Sequence, residues 1–289
     1  MIAEKAGHPH RSRAVVLLAL VLGARLASAQ EPPAGAATAR AFLTDAEKER
    51  FLLQARILSR QAVRRGVGTE RVVLALNGIE HEAHVQEIDE YDLKVQPTDD
   101  SEIGLRDNWR NNVAAYRLDR LLGLRMVPVT VERRDELKEA SFTWWVDDVL
   151  IDGTSRLKTK VASPEADAWN RQMDAVRIFD HLIHNLDRNA GTLLVDKDWR
   201  IWLIGHSRAF KVMPKVKSPR SLGARCPRGL LAGLRRLDKL TIEKSMVGLL
   251  DGPQIDGLLA RRDAIVDYFE ERIASSAEDV VLYDLPTRP

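Results

Sequence analysis

The stretch from Trp169 to Phe210 constrains this chain more than any other. Apolar residues between Trp169 and Ile183 recur at helical spacing and predict a long amphipathic helix. That helix runs into Asp187-Arg188-Asn189-Ala190-Gly191-Thr192, a polar stretch rich in turn formers, which ends it. Leu193 to Val195 and Arg200 to Ile204 then read as two strands of a hairpin turned at Asp196-Lys197-Asp198 and closing on Gly205-His206-Ser207. Any fold proposed for the chain must accommodate a helix, a polar loop and a tight hairpin in immediate succession.

With 289 residues, 45% of them apolar, the chain has enough apolar surface for one large domain or two modest lobes, and a disordered chain is excluded. Cys226 is the only cysteine, which rules out an internal disulfide and a thiolate zinc cluster. At the start, Lys5, Arg11 and Arg13 precede the apolar run Ala14 to Ala24, and Ala27-Ser28-Ala29 supplies a small-residue cleavage site. Residues 1–29 are therefore expected to be a signal peptide, with a mature chain from Gln30 that is periplasmic or secreted. The run of about 11 residues is too short to span a bilayer, and the alternative is an uncleaved anchor in the inner membrane. Losing four basic residues (Lys5, Arg11, Arg13, Arg25) and one acidic residue (Glu4) takes the formal charge from +2 to −1. A nearly neutral mature chain gives no reason to expect nucleic-acid binding, and no membrane span is expected in it.

Residues 30–41, with Pro, Ala and Gly between Glu31 and Thr38, suit a flexible leader. Thr44 and Glu47 form a capping box for a helix whose apolar side is Phe51, Leu52, Ala55 and Ile57. The turn Arg65-Gly66-Val67-Gly68-Thr69 leads into a strand, Val72 to Leu76, returned by Asn77-Gly78 through His81 to Gln86. A second helix is expected from Trp109 to Leu122 with Gly123 as its stop, followed by strands at Val127–Val131 and Ser141–Val146. Asp147 to Gly153 reads as a hinge, and Leu230 to Ser275 as helices broken near Gly252-Pro253.

This order of glycine turn, hairpin, helix, strands, hinge, helix, polar loop and hairpin resembles the atypical kinase superfamily. Bacterial proteins similar to phosphatidylinositol 3- and 4-kinases, HipA-type toxin kinases and the secretory-pathway casein kinases share phrases such as Ala114 to Leu124, A-A-Y-R-L-D-R-L-L-G-L, together with V-P-V-T-V, T-W-W-V-D and D-R-N-x-G-x-L-L. The resemblance covers roughly residues 50–230 and implies an α+β, two-lobed kinase-like fold. A small mixed N-lobe would occupy 42–150 and a mainly helical C-lobe 151–289.

In such kinases an Asp takes the substrate proton, an Asn five residues on holds a divalent ion, and an Asp after the next hairpin holds the ions bridging the phosphates. The matching positions are Asp187, followed by Arg188, then Thr192 and Gly205. A Glu in the helix before A-A-Y would pair with a strand Lys, and those positions are Asn112 and Gln86, with Lys94 as a substitute cation. Gly66 and Gly68 would cover a ligand phosphate through backbone N–H groups. Loss of both metal ligands removes the charge neutralisation that phosphoryl transfer needs, so the resemblance implies a pseudokinase with vestigial or retained Asp187 and Arg188, no metal and no certain cofactor. Export agrees, because a periplasm-like compartment holds little ATP.

The alternative is an active atypical kinase using ATP with Mg or Mn and Asp187 as base. A second alternative is a scaffold holding an acidic partner through Lys211, Lys215, Lys217, Arg220, Arg225 and Arg228, a run with no intervening acid. Gly205-His206-Ser207-Arg208-Ala209 superficially matches a nucleophile elbow, but it lacks the second glycine, and Pro214 interrupts the helix that should follow. Asp196 and Asp198 are expected as turn formers. His181, His184 and His206 are expected to be structural, and Trp144, Trp145, Trp199 and Trp202 to pack the core or hinge.

Overall fold

A computed structural model of the chain describes residues 43–63, 69–92, 105–136, 138–186, 188–216 and 218–286. The expected signal segment and leader, Gly66, Gly68, Lys94, Asp187 and Lys217 lie outside the described residues.

Helix α1 (Asp45–Gln54) starts on the expected capping box: the Thr44 hydroxyl accepts the Glu47 N–H at 3.3 Å and the Glu47 carboxylate accepts the Thr44 N–H at 2.7 Å. Ile57 does not extend this helix. The chain turns extended at Ala55, and Ile57 lies in β1 (Arg56–Ala62), an edge strand exposed along nearly its whole length. Without a buried face it carries no alternation to read, and only its ladder with β2 (Thr69–Leu76) makes it a strand. The β2–β3 hairpin, with β3 at Ile79–Gln86, turns at Asn77 and Gly78, both left-handed with φ of 51° and 76°.

Strands β4 (Asp89–Asp92) and β5 (Leu105–Asn108) pair with each other before α2 (Arg110–Leu122), which ends on left-handed Gly123 at φ 71°. The next two strands sit differently from their expected places, at β6 (Thr130–Asp135) and β7 (Lys138–Trp144), because a tight turn at Glu136 pairs Asp135 with Lys138. Charged Glu132-Arg133-Arg134-Asp135 hid that part of the ladder from a hydropathy reading. The strands form one antiparallel sheet in the order β1-β2-β3-β7-β6. Val72, Leu74, Ala83, Val85 and Phe142 from this sheet join α1 and α2 in the core.

The hinge is shorter than expected. Residues 149–152 form β8 (Val149–Asp152), which pairs with β9 (Leu193–Asp196) in a lower sheet of order β10-β9-β8, with β10 at Ile201–Leu203. Gly153 begins α3 (Gly153–Thr159), capped by the Asp152 carboxylate, which accepts the Ser155 N–H at 3.0 Å. Below lie α4 (Ala166–Leu182), β11 (Cys226–Pro227), α5 (Arg228–Arg236), α6 (Lys239–Ser245), α7 (Gly252–Ser275), α8 (Glu278–Val281) and β12 (Leu282–Tyr283). Phe179, Leu182, Leu231, Leu258, Ile265 and Phe269 fill the core of this helical part. Among the described residues no helix is long and apolar enough to cross a membrane.

Candidate functional site

The polar loop after α4 is organised by a buried ion pair. Arg188 reaches back to Asp180 on α4 with two hydrogen bonds, Nε to Oδ2 and Nη2 to Oδ1, each 2.6 Å. Both side chains are about a tenth exposed, at 9% and 11%. Asn185 Nδ2 donates to Asp180 Oδ1 at 3.2 Å, and Arg188 Nη1 donates to the Ile204 carbonyl at 3.1 Å. Arg188 Nη1 also donates to the Thr192 hydroxyl at 3.4 Å, and its Nη2 donates to His206 Nε2 at 3.0 Å, so that ring nitrogen carries no proton and the imidazole is the Nδ1–H tautomer. Arg188 thereby ties the loop, the end of α4 and the stretch after β10 into one unit. Asp180, one helical turn before His184, is a structural residue that organises the loop. The signal available was a carboxylate on the buried stripe of an amphipathic helix, between Val176 and Leu182.

Gly205 and Thr192 face each other across this unit. Gly205 is left-handed at φ 68°, and a Cβ placed on it would lie 2.9 Å from Thr192 Cγ2 and 4.0 Å from its hydroxyl. The Thr192 hydroxyl donates to the Asn189 carbonyl at 2.8 Å. Asp196 and Asp198 lie in the β9–β10 turn, where Asp196 Oδ1 accepts the N–H groups of Asp198 and Arg200 at 3.0 and 2.9 Å and Oδ2 accepts Trp202 Nε1–H at 2.9 Å. Among the described residues no group of three or more His, Cys, Asp or Glu is placed to hold a metal ion.

The upper lobe meets this unit through α2. Asn112 Nδ2 donates to Gln86 Oε1 at 2.8 Å and to the Ser141 hydroxyl at 3.2 Å, while its Oδ1 accepts the His206 N–H at 2.8 Å. Its neighbour Asn111 donates to the carbonyls of Ser207 and Ala209 at 2.7 and 3.0 Å. Two adjacent asparagines thus pin the stretch after Gly205 to the upper helix. The sheet face that ends at Gln86 also carries His84 and Arg71, by the pairing of Arg71 with His84 and of Gln86 with Ser141. Arg71 is ion-paired with Glu82 and lies 4.4 Å from the Trp145 ring centroid. No helix follows Ser207, and Phe210 is itself left-handed at φ 58°, so the nucleophile-elbow geometry is not formed.

Burial and the adjacent Arg188 charge hold the His206 imidazole far below its usual pKa, and burial takes His84 down to about 4. The unfolded chain therefore binds more protons than the folded one below an unfolded-state pKa of about 6.5. Stability from neutral His206 is fully present above that pH and is lost as the pH falls below it, with a slope of up to about 1.4 kcal/mol per pH unit for this one group. Urea denaturation midpoints measured from pH 7 to pH 5 are expected to fall steeply, and His206→Gln is expected to flatten the decline.

In the Lys211–Arg228 run, acids from elsewhere in the chain meet Arg225 and Arg228. Arg225 lies 3.5 Å from Asp167 and over the Tyr283 ring, and Arg228 is paired with Glu278. Lys215 and Arg220 are exposed.

Two lobes, a five-stranded upper sheet, a hinge and a helical lower lobe entered through a polar loop and hairpin define an atypical kinase-like fold. Among solved structures, the chain is similar to hydra Fam20 with sugar, with a TM-score of 0.58 and 12% identity over 83% of this chain and 92% of that one. It is also similar to the Golgi casein kinase, with a TM-score of 0.53 and 14% identity over 84% of this chain and 78% of that one. A form of the latter with Mn and ADP bound gives the same TM-score. No family model and no curated protein matches the chain.

Proposed function

We propose that this kinase-like protein is an exported pseudokinase that serves as a binding or regulatory module rather than transferring phosphate. The reading rests above all on the facing pair Thr192 and Gly205. These positions, which the resemblance equates with metal ligands, together offer one hydroxyl, and that hydroxyl already donates to Asn189. Mg²⁺ takes oxygen ligands in near-octahedral geometry and is usually anchored by carboxylates, so this donor set does not fit it. The amide pair Asn112–Gln86 supports the same reading, since it stands where a Glu–Lys pair would steady phosphates and brings no cation to them. Returning a carboxylate at Gly205 would have to overcome both a left-handed backbone and the Thr192 methyl group.

Calorimetric titration of the chain from Gln30 onward with ATP, with and without Mg²⁺ or Mn²⁺, tests the proposal. No metal-dependent binding at millimolar ATP is expected. Metal-dependent binding accompanied by phosphoryl transfer that Asp187→Asn abolishes would establish an active kinase instead.

A further inference from the structure

A cavity of about 370 Å³ opens between α3 and α4, beside the polar loop. Its size is that of a small-molecule site, and its walls are largely apolar. Trp169, Met173 and Val176 form one wall as a stripe along α4, and Leu157 of α3 faces them, 67% exposed at the mouth. Leu186, Arg188 and Ala190 also line it.

Three arginines line this apolar space, and two already have anions. Arg177 Nη1 lies 2.7 Å from Asp174 Oδ1, and Arg188 is committed to Asp180. Arg156 is different. Its guanidinium lies 4.0 Å from the Trp169 ring centroid, it makes no ion pair among the described residues, and its buried Nε has no hydrogen-bond partner. A guanidinium stacked by its face on an aromatic ring keeps its N–H edge for a planar anion, and a carboxylate matches that edge with two parallel hydrogen bonds. A cation with no ion pair among the described residues, beside an apolar wall, suits one negative charge on an apolar body.

We propose that this cavity binds an apolar monoanion, a carboxylate carried on an aliphatic or aromatic body, with the body against Trp169, Met173 and Leu157 and the carboxylate on Arg156. The proposal does not depend on whether the chain transfers phosphate.

Decanoate is the probe, titrated into the full-length chain carrying ¹³C-methyl methionine. Among the described residues Met173 is the one methionine that lines the cavity, so its methyl resonance reports the site. Decanoate is expected to shift Met173 and leave the other methionines in place. Arg156→Gln removes the charge, and Leu157→Glu puts a like charge at the exposed mouth without touching the core; each is expected to weaken binding about tenfold or more. The proposal is overturned if decanoate leaves Met173 unmoved at millimolar concentration, or if both variants bind it as tightly as the parent chain.

Discussion

Replacing Asp180 with Asn is expected to cost about 3–5 kcal/mol of stability, because it strands the Arg188 charge in a site where both partners are nearly buried. The carboxylate takes two 2.6 Å bonds from Arg188 and a third from Asn185, and an amide can return only part of that set. The loss propagates, since Arg188 also donates to the Ile204 carbonyl and to His206, which in turn donates its backbone N–H to Asn112 of the upper lobe. Chemical denaturation of the parent chain, Asp180→Asn, Arg188→Met and the Asp180→Asn/Arg188→Met double variant gives the coupling directly. The double variant is expected to recover much of the stability lost in either single variant, because removing both charges leaves no unpaired ion. A single-variant loss below about 1 kcal/mol would put the pair among weak surface bridges and remove it as the organiser of the loop.

Arg261→Met is expected to destabilise the chain by about 3 kcal/mol or more and to open the stretch after Ser207 to proteolysis. Arg261 on α7 is fully buried and makes no ion pair with a carboxylate among the described residues. Two of its nitrogens donate instead to carbonyls: Nε to Leu182 at 2.8 Å, and Nη1 to Lys211 at 2.9 Å and to Met213. Gln254, one helical stretch earlier, adds a bond to the Phe210 carbonyl at 3.0 Å. Burial lowers the guanidinium pKa to about 10, so it stays charged at neutral pH. Methionine fills much of the volume but leaves three carbonyls without this donor, each at roughly 1–3 kcal/mol where water cannot reach it. Thermal melts measure the first effect. Limited trypsin digestion, scored for cleavage after Lys211 and Lys215, measures the second. Unchanged cleavage would show that α7 does not hold this stretch in place.

The elements with strong local signatures were legible in the sequence. The Thr44–Glu47 box, the Asn77-Gly78 hairpin, the Gly123 stop and the α4 stripe each depend on residues a few positions apart, and each formed where expected. The elements missed lack such signatures. β1 buries no face, four of the six residues of β6 are charged, and α3 is seven residues long and begins at a glycine packed against Ala190. The upper-lobe and lower-lobe division followed from the order of elements, and the likeness to solved kinase folds agrees with it.

By itself the sequence determined the chemistry available: one hydroxyl and one glycine at Thr192 and Gly205, amides at Asn112 and Gln86, and a helix, loop and hairpin in a fixed order. Tertiary structure alone decided what each polar group faces. Arg188 turns inward to Asp180, eight residues earlier, and His206 becomes an acceptor in the same network. Asn111 and Asn112 bond to carbonyl and amide groups nearly a hundred residues away. Such pairings arise because buried polar groups must find partners wherever the packed lobes bring them, and separation along the chain places no limit on which partners those are.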